Sequence, residues 1–355
     1  MAIKYQTNKV KCDIGSYIHY WRGIKKVGKT TLFYNLVKEQ YGDLNKGLLI
    51  SIGDEIGYNA LDGLVYVNTP DWTALEEVID DLVENKADNE FAIVALDTAD
   101  EMIKLAKNEV KHLHRKAKGT SVEFNACFGG YGTPRDMVNE LCDGVLARLR
   151  NAGYGIVIIG HTAIRNVKEK NGDEYQQLTS NLSFDYDGIF ANKADVVMTI
   201  AVDKDIDENK HINSTTRYMW FRTDGFVDAG GRFATMPEKV EYGAKNYIEA
   251  FEESVRNSML KSVSENEIKT RKQNEIRERN NKAKEYIQQV TESKNYEKLA
   301  PKYVEEIQRG FSSISTDKKK DIKNILTAYN AKKITDPDIP LEALKKIVDV
   351  VNSEA

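Results

Sequence analysis

The chain has 355 residues, 41% hydrophobic and 30% charged, with a net charge of −4; at roughly 150 residues per domain this predicts about two domains. That balance excludes wholesale disorder. The apolar runs, such as Ile156-Val157-Ile158-Ile159 and Phe91–Leu96, fall far short of the ~20 residues of a spanning helix, so no membrane association is expected. Residues 1–11 lack the apolar stretch of a signal peptide, and Cys12, Cys127 and Cys142 have the spacing of neither a disulfide framework nor a zinc site. Both observations point to a cytoplasmic, reducing setting. Charge is uneven. Residues 256–355 hold 21 Lys and Arg against 16 Asp and Glu, a net +5, while the remainder holds 30 against 39, a net −9. A weakly basic tail on an acidic body suggests two functional parts.

In chain order, Tyr17–Trp21 reads as a strand, followed by a Gly-rich turn and a helix over about 30–39. Gly47–Ser51 reads as a buried strand and Leu64–Val67 as a short one. A helix over 71–85 follows, with Asp71 as its N-cap. Phe91–Leu96 is a strand, then a helix runs over about 99–116. Residues 118–133 hold four glycines and no helical period, so they read as a loop. Pro134 opens a helix to about Asn151, with Thr133 as its cap. Tyr154–Ile159 is a strong strand, residues 163–188 read as a long polar loop, and Ala194–Ala201 and Arg217–Arg222 complete the strand series. Strands alternating with helices predict an α/β domain over residues 1–255, a mostly parallel sheet with helices on both faces. Residues 256–294 read as a charged connecting helix, and residues 295–355 as a small all-helical C-terminal domain of three short helices.

The segment Gly23-Ile24-Lys25-Lys26-Val27-Gly28-Lys29-Thr30-Thr31 fits G-x-x-x-x-G-K-[ST] without a mismatch, with a strand before it and a helix after it. The glycines let successive N–H groups turn inward on phosphates, and the helix adds the positive end of its dipole. Lys29 is the expected cation for β- and γ-phosphates, and Thr30 the expected hydroxyl ligand of Mg2+. Lys25 and Lys26 add charge to the loop, either as phosphate contacts or as solvated side chains. The apolar strand Phe91–Leu96 ends in Asp97, which lies at the same sheet edge and is expected to hold a water on the Mg2+. Asp100 and Glu101 read as acids that stabilise the next helix N-terminus.

Thr98, not an acid, follows Asp97; an acid instead follows the second strand, in Gly53-Asp54-Glu55-Ile56-Gly57-Tyr58. In this the chain resembles the RecA-like P-loop ATPases, where the catalytic glutamate follows the strand after the phosphate-loop helix. More narrowly, over about residues 10–255, it resembles the phage nucleotide-binding AAA group, RecA-like proteins of recombination and single-strand annealing. The likeness rests on Gly23–Thr31, Glu55–Tyr58, Asp97-Thr98, Phe128-Gly129-Gly130-Tyr131-Gly132 and Ile159-Gly160-His161-Thr162. Phe128 departs from it, standing where a more polar residue is expected.

The resemblance implies that Glu55 activates the attacking water, with Asp54 as a competitor, and that His161 senses the γ-phosphate. It implies single-stranded DNA contact from the two loops, through Lys118, Phe128 and Tyr131 in one and Arg165, Lys168, Lys170 and Tyr175 in the other. It also implies a homo-oligomer, ring or filament, in which Arg222 or Arg232 completes a neighbour's nucleotide site. The expected activity is Mg2+-dependent ATP hydrolysis on single-stranded DNA in phage recombination, repair or replication, in concert with a single-strand DNA-binding protein. A helicase loader or nucleotide kinase is an alternative, although residues 163–188 hold one Arg and no Arg-rich lid. Another is a nucleotide-dependent assembly module whose helical tail docks partners.

Overall fold

A computed structural model describes residues 7–260 and 263–353. The first six residues of the 1–11 segment lie outside that range, as do residues 261–262 and 354–355. The chain forms two compact units, residues 1–283 and 284–355.

The first unit opens with β1 (Ile18–Gly23), α1 (Lys29–Tyr41), β2 (Gly47–Ile52), β3 (Tyr66–Thr69) and α2 (Trp72–Glu84). It continues with β4 (Ile93–Asp97), α3 (Ala99–Lys118), α4 (Thr133–Asn151), β5 (Gly155–Lys168), β6 (Glu174–Ser180) and α5 (Phe184–Ala191). β7 (Val196–Ile206), β8 (Ile212–Trp220), β9 (Gly230–Gly231), β10 (Lys239–Glu241) and α6 (Ala244–Met259) follow. The strands form one sheet in the order β10-β8-β7-β1-β5-β4-β2-β3, with β6 on β5 and β9 on β7. From β7 through β1, β5, β4 and β2 to β3 every neighbouring pair is parallel. The β5–β6, β7–β8, β7–β9 and β8–β10 pairs are antiparallel.

β1, β2 and β4 are buried along their whole length. That is why they read as continuous apolar runs rather than alternating ones. Leu32, Phe33, Leu36 and Val37 of α1 and Tyr247, Phe251 and Val255 of α6 share one core with Trp21, Ala95, Val157 and Met198 of the strands. α3 and α4 pack on each other and on β5. The sheet thus carries helices on its faces, as the alternating pattern implies.

Register brings the strand ends into one row. Gly23 pairs with His161 and Ile200, while Asp97 pairs with Ser51 and Ile159. In a parallel sheet that carboxyl edge is where ligands bind.

Three local expectations differ from what is observed. Residues 163–188 are not a loop: β5 continues past the sheet to Lys168 and pairs with β6, from Thr162 on Ser180 to Lys168 on Glu174, and α5 follows. The reversal is a tight turn in which Gly172 adopts a left-handed φ of 94° and the Glu169 N–H donates to the Asp173 carbonyl. Thr133 does not cap α4; Gly132, with φ 96°, is the capping residue and Thr133 the first helical one. Within 118–133, Phe124–Gly129 forms a short 3-10 turn. The Asp71 cap is as expected, its carboxylate accepting from the Ala74 N–H at 2.8 Å.

The start of α7 (Glu265–Phe311) belongs to the first unit rather than to a solvated connector. The Glu275 carboxylate accepts from the Cys12 N–H and from the Ser16 hydroxyl, both at 2.5 Å. Arg279 pairs with buried Asp13 at 2.6 Å. The polar run therefore serves buried backbone donors and an acid that would otherwise lack partners.

The second unit is the rest of α7 with α8 (Thr316–Ala328) and α9 (Leu341–Asn352). Its core gathers Ile307, Ile322, Ile339, Leu344, Ile347 and Val348. Among the described residues no helix is long and apolar enough to cross a membrane. Cys12, Cys127 and Cys142 are all buried free thiols.

Candidate nucleotide site

The phosphate-loop segment leaves β1 at Gly23 and enters α1 at Lys29, bordering a cleft of about 680 Å3 at the carboxyl edge of the sheet. Ile24, Lys25, Lys26, Gly28, Lys29, Thr30 and Thr31 line it, facing Glu55, Asp97, Asp100 and His161. Gly23 and Val27 are buried behind that wall. Lys25 and Lys26 are exposed and still border the cleft, so solvation and phosphate contact are both open to them.

Gly28 has a φ of 107°, and a Cβ there would stand 2.5 Å from the Tyr242 hydroxyl. Glycine is required on both counts. Tyr242 donates to the Gly28 carbonyl at 2.8 Å, and Arg217 donates to the Val27 carbonyl at 3.0 Å. The Arg217 guanidinium also lies 4.1 Å from the centre of the Tyr242 ring. β8 and the chain just after β10 thus brace the phosphate loop from behind.

Lys29 is buried, and its ammonium donates to the carbonyls of Gly23 and Ile24 at 2.9 and 3.0 Å. Burial lowers its pKa to about 8, opposed by the charges of Asp97, Asp100 and Glu55. Asp97 is buried at the end of β4 and accepts a 2.8 Å hydrogen bond from the Thr30 hydroxyl. Burial raises its pKa to about 6, against the Thr30 hydrogen bond and with help from the Glu55 charge.

Mg2+ takes one or two protein oxygens and completes its octahedron with phosphate oxygens and water. The Thr30 hydroxyl and Asp97 carboxylate are such a hard-oxygen pair, and they fit the ion. Among the described residues no group of three or more His, Cys, Asp or Glu forms a metal cage.

Glu55 lines the cleft from the turn after β2, half-buried, with its carbonyl accepting from the Ser51 hydroxyl. Asp54 points away: its side chain is 99% exposed, 3.9 Å from Lys104. Geometry therefore favours Glu55 as the acid facing a nucleotide. Two residues on, a Cβ on Gly57 would come 2.9 Å from the Thr30 hydroxyl. This turn thus passes directly over the Thr30–Asp97 pair.

His161 is half-buried where β5 leaves the sheet. Its backbone N–H donates to Asp100 Oδ2 at 3.0 Å, and its Nδ1 lies 3.2 Å from the same oxygen. Asn181, just after β6, donates its amide to the other Asp100 oxygen at 2.9 Å and its backbone N–H to the His161 carbonyl at 2.8 Å. Burial acts to raise the Asp100 pKa, but the hydrogen bonds from His161 and Asn181 outweigh it and hold the carboxyl below its ordinary value. Asp100 is more than a helix-end acid: it joins the start of α3, the middle of β5 where that strand leaves the sheet, and the exit of the hairpin.

Arg22, next to Gly23, is almost wholly buried. It lies 3.0 Å from Asp228 and 3.5 Å from Asp187 of α5, and donates to the Asp228 carbonyl at 2.7 Å.

The remaining expected residues scatter. Arg222 follows β8 and is exposed; Arg232 pairs with Asp195 at 3.2 Å; neither borders the cleft. Lys118 is the exposed last residue of α3. Phe128 is half-buried, its N–H donating to His114 Nδ1 at 2.9 Å. Tyr131 is fully exposed with a left-handed φ of 52°. On the hairpin, Arg165 donates to the carbonyls of Asn181 and Leu182, Lys168 pairs with Glu174, Lys170 is exposed, and Tyr175 meets the Phe226 ring.

Asn181, Arg217, Tyr242 and the bridging role of Asp100 are not among the residues that the sequence points to. Only Asp100 carried a signal, since a helix opening at residue 99 turns its second residue toward the strand ends. No curated protein shows significant similarity to the chain. A family model described as an AAA domain, AAA_24, matches residues 18–233, which takes in the phosphate loop, Glu55, Asp97 and His161. The chain belongs to this family and carries its AAA-type P-loop ATPase domain.

Proposed function

We propose that this protein is a Mg2+-dependent ATPase that acts on single-stranded DNA as an oligomer, in recombination, repair or replication of phage type. One observation carries the ATPase reading. The phosphate loop, the Thr30–Asp97 pair, Glu55 and His161 border one cleft of a size that suits a nucleotide. Loop amides and Lys29 bind the β- and γ-phosphates. Glu55 orients a water and takes its proton as the water oxygen bonds to the γ-phosphorus. The bond from the γ-phosphorus to the bridging oxygen breaks, and ADP and phosphate leave. Thr30 and Asp97 are the residues that would hold Mg2+, which when bound would neutralise phosphate charge. Among the arginines, Arg222 suits a neighbour's site better than Arg232, which is committed to Asp195.

DNA action is supported by the linkage of His161 through Asp100 to the β5–β6 hairpin. A hairpin tied to the nucleotide cleft can change its DNA contacts with nucleotide state.

The test is phosphate release measured with and without single-stranded DNA over a salt series. Stimulation that fades with salt is expected, and its absence at every salt removes DNA from the reading. Lys29→Ala should abolish turnover. Glu55→Gln should retain ATP binding and lower kcat by about 100-fold or more, the usual scale for a general base. Unchanged turnover in Glu55→Gln would take Glu55 out of the mechanism.

A further inference from the structure

Beside the nucleotide cleft lies a second groove, of about 490 Å3, between α3 and the start of α5. The two share Asp100 and Asn181 as a common wall. Lys104, Lys107 and Lys111 line the groove. Their spacing of three and four residues puts them on one face of α3. From the first to the last is about 10 Å of helix. Lys107 Nζ lies 4.3 Å from the centre of the Tyr186 ring and 5.7 Å from that of Phe124.

Charge identifies the occupant's chemistry. No carboxylate is within salt-bridge distance of Lys107 or Lys111 among the described residues. Lys104 pairs with Glu101 at 2.8 Å and lies 3.9 Å from Asp54, but its own side chain is 55% exposed, so the ammonium can also reach a phosphate. Of the groove's other polar groups, Asp100 is already engaged by His161 and Asn181. Adjacent cations with aromatic faces beside them suit a single strand, whose phosphates are regularly spaced and whose bases offer π-faces.

We infer that a segment of single-stranded DNA lies in this groove, its phosphates on Lys104, Lys107 and Lys111 and a base against Phe124 or Tyr186. The inference rests on the DNA reading above and supplies its contact surface on a helix, apart from the two loops that sequence points to. It also explains how strand and nucleotide communicate. Asp100 and Asn181 face both, so a movement of one is felt by the other without a long relay.

The experiment is fluorescence anisotropy with a labelled oligodeoxythymidylate of about 20 nucleotides, a length that exceeds common single-strand site sizes, on the full chain with a non-hydrolysed ATP analogue. Lys107→Ala/Lys111→Ala should bind the strand about tenfold more weakly or worse at low salt. Its log–log salt slope should be smaller by about 1.4, since each phosphate contact to a single strand contributes about 0.7. Affinity for the ATP analogue controls for folding and should be unchanged. Lys107→Arg/Lys111→Arg should restore both affinity and slope. Tyr186→Ala should weaken binding without altering the slope.

Equal affinity and slope in the double alanine variant, with the wild type binding well, would overturn the groove and leave the DNA reading standing. A double variant that keeps its DNA affinity and loses self-association would assign the lysines to a subunit contact, which also overturns the proposal. No binding by the wild type at any salt would bring down the DNA reading and this inference with it.

Discussion

Lys29 carries a consequence that a charged surface lysine would not. Burial holds its pKa down to about 8, so the free site keeps its ammonium below that pH and loses it above. A bound triphosphate favours the charged form and raises the pKa in the complex. Affinity for ATP should therefore be at its full value below about pH 8 and fall as the pH rises through it, by up to about tenfold per unit. Calorimetric titration from about pH 7 to 9.5 checks this, and a flat affinity over that range counts against it. Gly57 shows a second kind of residue-scale demand: its missing Cβ lets the Glu55 turn lie over Thr30. Lys29, Thr30 and Asp97 were legible in the sequence because their chemistry is bound to a fixed spacing and a strand end. Arg217 and Tyr242 were not. They reach the phosphate loop through antiparallel pairing of β8 with β7 and β10, and no local pattern announces a contact made 190 residues away.

At the scale of elements, buried strands and amphipathic helices were readable because apolar periodicity encodes them. The β5–β6 hairpin was not read, although Asn171-Gly172 between polar runs is a turn signal. Its residues are mostly polar because it projects from the sheet, so the strand pattern that depends on a buried face is absent. What fixes it is Asp100, which holds His161 and Asn181 together. Asp100→Ala should reduce the stimulation of ATP hydrolysis by single-stranded DNA more than it reduces the basal rate. Coupling of this kind is commonly worth about 5-fold or more. Steady-state phosphate release with and without DNA measures both quantities, and equal losses in the two would argue that Asp100 serves the nucleotide cleft alone.

For the whole molecule, the two cores are separate: Tyr247, Phe251 and Val255 belong to one, Ile307, Leu344 and Ile347 to the other. A chain ending at residue 283 should therefore fold and bind ATP. One ending at residue 260 should be markedly less stable, because it loses Glu275 and Arg279 from the buried donors and acid near Cys12, Asp13 and Ser16. Thermal unfolding of the two fragments decides it, and equal midpoints would mean that this part of α7 contributes nothing to the first unit. The boundary at 283/284 was hidden in the sequence because a charged helix that satisfies buried partners looks the same as a solvated one. Arg22 makes a related bond between distant segments, a buried guanidinium on the strand that launches the phosphate loop facing the partly exposed carboxylates of Asp187 and Asp228. Stripping away its cation alone leaves two neighbouring anions unpaired, and deleting either anion leaves a buried guanidinium less balanced. Lineages descending from a common ancestor should accordingly trade positions 22, 187 and 228 in concert, as a heritable unit, rather than drift at one of them.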